Sequence, residues 1–370
     1  MFRKSICTYQ YQSPALSLLE RMYLEAFWKF LAKRVYPPWL APNLLTLAGG
    51  LCDVAALALT LTHSSALLGT SPRWVYFACA CLLLTYQTLD GSDGYQARRT
   101  HSGSALGELM DHGIDAWVVP SLVIYSIDAF SFGWRAPEVW LFVLGSQWAF
   151  ALTNMTLLVS GRMAIGLIDV MEVQTAMAAS LLLTAIAGPA LWDTPLSLPL
   201  LPPLSLRSLV FLCSSGGIAI SVARNALIVA QTVSHQVPAV QLGQLISLLC
   251  SYTVVTSLCV YRASELPGAE GDLALALLLL CSMFSFAEAM ARMLVLRLGR
   301  LRLPVVPRSV VCMCLFRAAL EIGPAARLAV VLLSAALHLS FFVQATRALA
   351  RVLGVHPFRV RGASHWYKLH

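Results

Sequence analysis

The chain has 370 residues, of which 58% are hydrophobic and only 12% charged, with a formal net charge of +8 and a mean hydropathy of +0.72. A soluble globular protein carries roughly twice that charged fraction, so the composition excludes a water-soluble domain and points to a polytopic, all-α membrane protein. The positive excess then serves to orient helices and to meet anionic lipid; it does not read as a nucleic-acid footprint.

Residues 1–14 are expected to form a poorly ordered cytosolic end without the features of a removable signal peptide. Residues 15–38 then interleave Leu18, Leu19, Met22, Phe27, Trp28 and Leu31 with Glu20, Arg21, Lys29, Lys33 and Arg34. That is the pattern of an amphipathic helix lying in the membrane interface or packing on a bundle, and Pro37 and Pro38 end it. Apolar runs of spanning length predict ten transmembrane helices, roughly over 41–62, 74–92, 108–130, 139–160, 174–192, 207–231, 240–261, 272–297, 308–322 and 325–350. Only Gly323 and Pro324 separate the last two.

The Lys/Arg distribution sets the orientation. With both ends in the cytosol, that side receives Lys29, Lys33, Arg34, Arg98, Arg99, Arg162, Arg297, Arg300 and Arg308 among others, and the opposite side only Arg73, Arg135, Arg207, Arg262 and Arg327. The ten cysteines fall almost entirely within apolar runs without framework spacing and read as small buried hydrophobes. Cys312 and Cys314, two residues apart on a helix and without a neighbouring His, do not have zinc-site spacing.

The stretch from Asp90 to Asp115 stands out. Asp90 and Asp93 are one helical turn apart, as are Asp111 and Asp115, so each pair projects from one helix face at the edge of an apolar run. A single Asp near the middle of a membrane helix costs about 2.5 to 3.5 kcal/mol on insertion scales. Two carboxylates about 4 Å apart repel by about 4 kcal/mol at an effective dielectric of 20. Such a cage calls for a cation, and hard oxygen ligands without Cys or His suit Mg²⁺, Mn²⁺ or Ca²⁺. Gly91, Gly94, Gly103 and Gly107 permit close backbone approach, and Arg98 is a natural phosphate partner. Together these residue types suggest a pyrophosphate substrate.

Asp90, Asp93, Gly94, Ala97, Arg98, Gly107, Asp111 and Asp115 fit D-x2-D-G-x2-A-R-x8-G-x3-D-x3-D without a gap. The pattern resembles the signature of the CDP-alcohol phosphotransferases. QARR and GELMDHG resemble the eukaryotic choline/ethanolamine branch of that family, as do YQYQSPALSLLE, LAPNLLTLAG and GLIDVMEVQ. Beyond about residue 235 only the hydrophobic layout and HPFRV remain similar.

The resemblance implies transfer of phosphoethanolamine or phosphocholine from CDP-ethanolamine or CDP-choline to diacylglycerol, with release of CMP, in the endoplasmic reticulum or Golgi membrane. It implies a two-metal site of Mg²⁺ or Mn²⁺ on Asp90, Asp93, Asp111 and Asp115. Asn43, Thr46, Gly94, Ala97, Arg98 and Gly107 would surround the nucleotide, and a homodimer is compatible with the family. For the base that takes the acceptor's proton, two candidates stand: His112 supported by Glu108 four residues earlier, and Asp115. His112 ranks first because a metal-bound carboxylate is a weak base; a structural role for Glu108 and His112 beside the metal is the alternative. Tyr95 departs from the family, standing where relatives commonly carry Lys.

The chain accordingly divides into a cytosolic end with an interfacial helix (1–40), a six-helix catalytic bundle (41–232), a four-helix membrane extension (233–350) and a basic cytosolic tail (351–370). Glu288 and Arg292 are spaced to pair within one helix, whereas Arg224, Asn225 and Arg317 read as polar caps before lipid contacts. Asp169 and Glu172 would shape the alcohol site or belong to an interfacial loop. Other alcohols or acceptors, such as inositol or ceramide, are rivals within the enzyme class. A cation-coupled transporter is the rival outside it, but such a protein should show paired broken helices in two related halves, and no repeat is visible. A cysteine placed at Ser102 should react with an impermeant label from the cytosolic side, and one at Gly268 from the lumenal side; the reverse labelling pattern would require an inverted topology.

Overall fold

The computed structural model describes residues 16–164, 166, 168–196, 204–232, 239–299 and 307–360. The expected N-terminal end and residues 361–370 of the tail lie outside them. A helical run over 20–35, α1, precedes ten further helices among the described residues. These are α2 (Pro42–His63), α3 (Arg73–Arg99), α4 (Ala105–Ala129), α5 (Pro137–Ser160), α6 (Val170–Ala187), α7 (Leu206–Gln231), α8 (Ala239–Ser264), α9 (Gly268–Gly299), α10 (Arg308–Ala319) and α11 (Pro324–Leu353). A single turn over Pro189–Asp193 and the two-residue strands Pro195–Leu196 and Leu204–Ser205 connect α6 to α7.

A helix stands at each of the ten predicted positions, and the protein is a polytopic all-α membrane protein. Seven of them are long and apolar enough to cross a bilayer: α2 and α5 to α9, together with α11. The other three fall outside for evident reasons. α3 and α4 carry the aspartates, and α10 has 12 residues, about 18 Å of helix against a hydrocarbon core of about 30 Å.

Boundaries differ most around the aspartates. α3 continues through Asp90, Asp93 and Arg98 to Arg99, and α4 begins at Ala105, so a connector of five residues, 100–104, replaces the longer loop expected there. The Ser104 hydroxyl accepts from the Gly107 N–H at 3.3 Å and starts α4 three residues early, in a segment whose small residues carry no apolar signal. Likewise Asp169 and Glu172 form a capping box that starts α6 at Val170.

α4 sits at the centre. Most of its residues are buried, with Leu106, Leu109, Ile114 and Val118 in one apolar cluster and Ala116, Val123, Ile124 and Ile127 in another, while the face of Gly107, Asp111 and Asp115 is half-buried. α2, α3, α6 and α11 contribute to the first cluster, and α5, α8, α9 and α10 to the second. Lipid tails are as apolar as Leu, so such helices associate through close packing and not through exclusion of water. Gly113 on α4 shows this: a Cβ there would lie 2.4 Å from the Phe342 ring of α11.

Polar contacts sort the connectors onto two faces. On one, Gly133 N donates to Leu67 O (2.8 Å), Arg135 to Ser264 O (2.6 Å) and Gly268 O (2.9 Å), and Arg207 to Ser131 O (3.2 Å). On the other, Leu19 N donates to Glu172 (2.7 Å), Arg224 to Ala164 O (3.0 Å), and Asn43 Nδ2 to Pro357 O (2.8 Å). The start of α2 and the chain after α11 therefore lie on the same face, as an even number of crossings requires.

Asp128 anchors the first of these faces. It accepts from the Ser64 hydroxyl (2.5 Å), the Gly69 N–H (3.0 Å) and the Ser71 hydroxyl (2.8 Å), and is fully buried. Asp128→Ala leaves these donors without an acceptor, at about 1 to 3 kcal/mol for each buried orphan. The thermal midpoint of the purified protein should fall markedly for Asp128→Ala and less for Asp128→Asn, which retains one acceptor oxygen.

Candidate active site

The site is assembled at one end of α2, α3 and α4. The linker between α1 and α2 fixes the end of α3. Gln96 donates to Pro37 O (3.0 Å) and Leu40 O (2.9 Å), and Arg99 to Tyr36 O (2.6 Å) and to Ala32 O. The Tyr36 hydroxyl meets that of Ser92 at 2.9 Å, and its burial raises its pKa above the ordinary value. Trp28 of α1 fills the groove left by Gly91, where a Cβ would fall 2.2 Å from the indole ring. The interfacial helix is therefore docked beside Asp90, the packing alternative of its two readings.

Asp90, Asp93 and Asp111 converge. Each offers a carboxylate oxygen, and the three lie within 4.8 Å of one another. Thr46 donates its hydroxyl to Asp93 Oδ2. Asp90 Oδ1 is buried and has no hydrogen-bond partner among the described residues. No described Lys or Arg forms an ion pair with these three side chains; the one basic group within 4 Å is the His112 ring, whose Nε2 is 3.9 Å from Asp111 Oδ2. A set of hard oxygen donors, an orphaned buried carboxylate oxygen and no fixed cation are the features a divalent ion fits. Asp115 stands beside this trio, with Oδ1 accepting from the Tyr86 hydroxyl at 2.7 Å.

The expected nucleotide residues surround the aspartates. Arg98 is exposed and lies over the Tyr95 ring at 4.2 Å from its centroid. The Tyr95 hydroxyl reaches Glu25 at 3.3 Å, and Glu25 also pairs with Lys29 at 2.8 Å. Those contacts, the Lys29 bond foremost, hold the Glu25 carboxyl below its ordinary pKa. A Cβ at Gly94 would meet only the Arg98 guanidinium, at 3.6 Å, and one at Gly107 would have Asn43 Oδ1 as its nearest neighbour, at 3.7 Å. Both glycines thus border open space. Ala97 lies one turn beyond Asp93 on α3, half-buried.

His112 is 3% exposed, and its Nδ1 is 2.9 Å from Asn154 Oδ1 on α5. Asn154 Nδ2 donates to Phe150 O at 3.0 Å, which fixes the amide so that Oδ1 faces the ring. An amide oxygen only accepts, so Nδ1 carries a proton; in the neutral ring the lone pair is then on Nε2, toward Asp111. Glu108, also buried, forms an ion pair with Arg297 of α9. Tyr86, Asn154 and Arg297 were not singled out in the sequence. Asn154 is the most legible of them, as the one Asn within an otherwise apolar run. Arg224, for its part, bonds Asp169 (3.3 Å), and Glu288 and Arg292 pair as spaced (2.8 Å).

With this geometry in hand, residues 39–201 match the family model of the CDP-alcohol phosphatidyltransferases. That match covers the segment from the start of α2 to the connector after α6. The chain is similar to Cholinephosphotransferase 1 of Gallus gallus, 37% identical over 190 residues that cover 51% of this chain and 56% of the relative. It is similar to Cholinephosphotransferase 1 of Homo sapiens, 34% identical over 215 residues covering 56% and 52%. An Uncharacterized CDP-alcohol phosphatidyltransferase class-I family protein 2 of Dictyostelium discoideum is 41% identical over 120 residues, 32% of this chain and 29% of its own. The chain spans about half the length of the cholinephosphotransferases it matches. The similarity follows the choline/ethanolamine branch that the motif resembles. The aspartates, glycines and Arg98 all fall inside the matched segment, whereas Arg297 and Pro357 reach it from outside.

Asp93→Asn and Asp111→Asn should each weaken Mn²⁺ binding at least tenfold, read by electron paramagnetic resonance of the purified protein. Arg98→Ala should leave Mn²⁺ binding unchanged and weaken binding of a CDP-alcohol.

Proposed function

We propose that this protein transfers phosphocholine or phosphoethanolamine from the CDP-alcohol to diacylglycerol and releases CMP. The convergence of Asp90, Asp93 and Asp111 beside the exposed Arg98 carries this proposal, within a domain of the matching family. The names of the relatives favour choline as the headgroup. The site faces the cytosol of the endoplasmic reticulum or Golgi membrane, since the Lys/Arg excess falls on its side. Residues 41–232 form the catalytic bundle and 233–350 the extension that braces it, with Arg297 holding Glu108.

Asp90, Asp93, Asp111 and Asp115 would hold two divalent ions, Mg²⁺ or Mn²⁺, which when bound supply positive charge to the pyrophosphate and the departing CMP. The chain's own groups do the rest. Thr46 orients Asp93, and Tyr86 orients Asp115. Arg98, kept in place against Tyr95, holds a phosphate oxygen. Gly94 and Gly107 leave room for the nucleotide. His112 Nε2 accepts the proton of the diacylglycerol hydroxyl as its oxygen attacks the phosphorus and the bond to CMP breaks. Asn154 supports this assignment because it keeps the Nδ1 proton in place and so leaves Nε2 basic. The Glu108 carboxylate, paired with Arg297, fixes α4 against α9.

Purified protein with labelled CDP-choline, CDP-ethanolamine and diacylglycerol should form the corresponding phospholipids only with Mg²⁺ or Mn²⁺ present. Full turnover in excess chelator would sink the metal-dependent reading. His112→Ala should lower turnover about a hundredfold or more while Mn²⁺ binding stays near normal, whereas Asp115→Asn should impair both. Near-normal turnover in His112→Ala would make Asp115 the base.

A further inference from the structure

A cavity of about 390 Å³, lined by none of the aspartate-site residues, opens between α8, α9 and α10. That volume is sufficient for a small ligand. Val240, near the start of α8, and Arg308, the first residue of α10, line it. It therefore lies toward the same membrane face as the aspartate site, at the level where lipid headgroups meet helix ends.

Its polar lining is unusual for this bundle. Ser160, Ser180 and Ser334 donate to the carbonyl four residues earlier, which is how a helical hydroxyl is satisfied in a membrane. Ser247 and Ser251 of α8 make no such bond, and neither they nor Gln244 has a hydrogen-bond partner among the described residues. All three are exposed toward the cavity side of α8. Ser309, in the first turn of α10 and 3% exposed, lines the cavity and is likewise unpartnered there.

Charges complete the lining. Glu288 is 2% exposed, and one of its oxygens, Oε1, takes both bonds from Arg292, at 3.1 and 2.8 Å. Glu288 Oε2 and Arg292 Nη1 are left without hydrogen bonds among the described residues. The Arg292 guanidinium is held against the Phe341 ring at 4.3 Å, so it does not turn away from the cavity. Arg308 adds a second cation at the positive end of α10.

We propose that this cavity binds the headgroup of a zwitterionic phospholipid, with its phosphate against Arg292 Nη1, Arg308 and Ser309 and its ammonium group against Glu288. A carboxylate oxygen and a guanidinium edge side by side match a phosphate and an ammonium joined by two carbons. An anionic headgroup without the amine leaves Glu288 Oε2 facing like charge. The site is separate from the transfer chemistry, and its test reads no turnover.

The full chain, purified and delipidated in detergent, is titrated with phosphatidylcholine and examined by native mass spectrometry. One phosphatidylcholine should be retained per chain. Ser251→Leu, which fills the cavity, and Arg308→Gln, which removes an exposed cation, should each weaken retention about tenfold while Mn²⁺ binding at the aspartates reports an intact fold. Phosphatidate should bind at least tenfold more weakly than phosphatidylcholine, and soluble glycerophosphocholine about a hundredfold more weakly. Unchanged retention in both variants, equal binding of phosphatidate, or equal binding of glycerophosphocholine would overturn the proposal. So would variants that abolish a dimer mass and leave lipid retention intact, because the cavity would then be covered by a second copy of the chain.

Discussion

Mutual repulsion among carboxylates at the edge of a membrane is the constraint on which this structure depends. Three of them bring oxygens within 4.8 Å of one another on α3 and α4, and each such contact opposes assembly by several kcal/mol before any cation is counted. The surrounding architecture reads as the means of holding them there. α4 is packed into both apolar clusters, α2 contributes Thr46, and the 36–40 linker clamps the end of α3 through Gln96 and Arg99. Helices rather than loops carry the three aspartates, so the bundle's packing fixes the spacing of their oxygens.

The treatment of other acidic groups sharpens the contrast. Glu108 pairs with Arg297, Glu288 with Arg292, Asp169 with Arg224, and Glu270 with Arg327. Asp53 and Asp128, buried without such a partner, are surrounded by Ser and Tyr hydroxyls or backbone N–H. Elsewhere in the described bundle, then, a buried carboxylate is either neutralised by Arg or wrapped in donors, as burial of charge demands. Asp90, Asp93 and Asp111 are the departure, with one oxygen of Asp90 left buried and bare. A site that violates the rule obeyed around it is where a bound ion is physically expected.

The extension outside the matched domain is not an appendage. α9 and α11 pack directly on α4, Arg297 reaches Glu108, and Pro357 accepts from Asn43 at the edge of the site. Segments from both parts of the chain thus set the position of α4.

The one-dimensional pattern alone determined the fold class, the existence and order of the ten long helices, and the pairing of the aspartates by turn, because hydrophobic run length and helical periodicity are local properties. It also determined the intrahelical Glu288–Arg292 pair, whose partners are four residues apart. Helix starts at Ala105 and Val170 are set by the Ser104 and Asp169 caps, polar residues that carry no hydrophobic signal. Tertiary structure alone decided what lies beside each site residue. Asn154, 42 residues from His112, chooses the imidazole tautomer, and Arg297, 189 residues from Glu108, claims a carboxylate that sequence spacing had assigned to His112. Such partners meet only because helices distant in the chain pack side by side, and no local periodicity records which faces will touch.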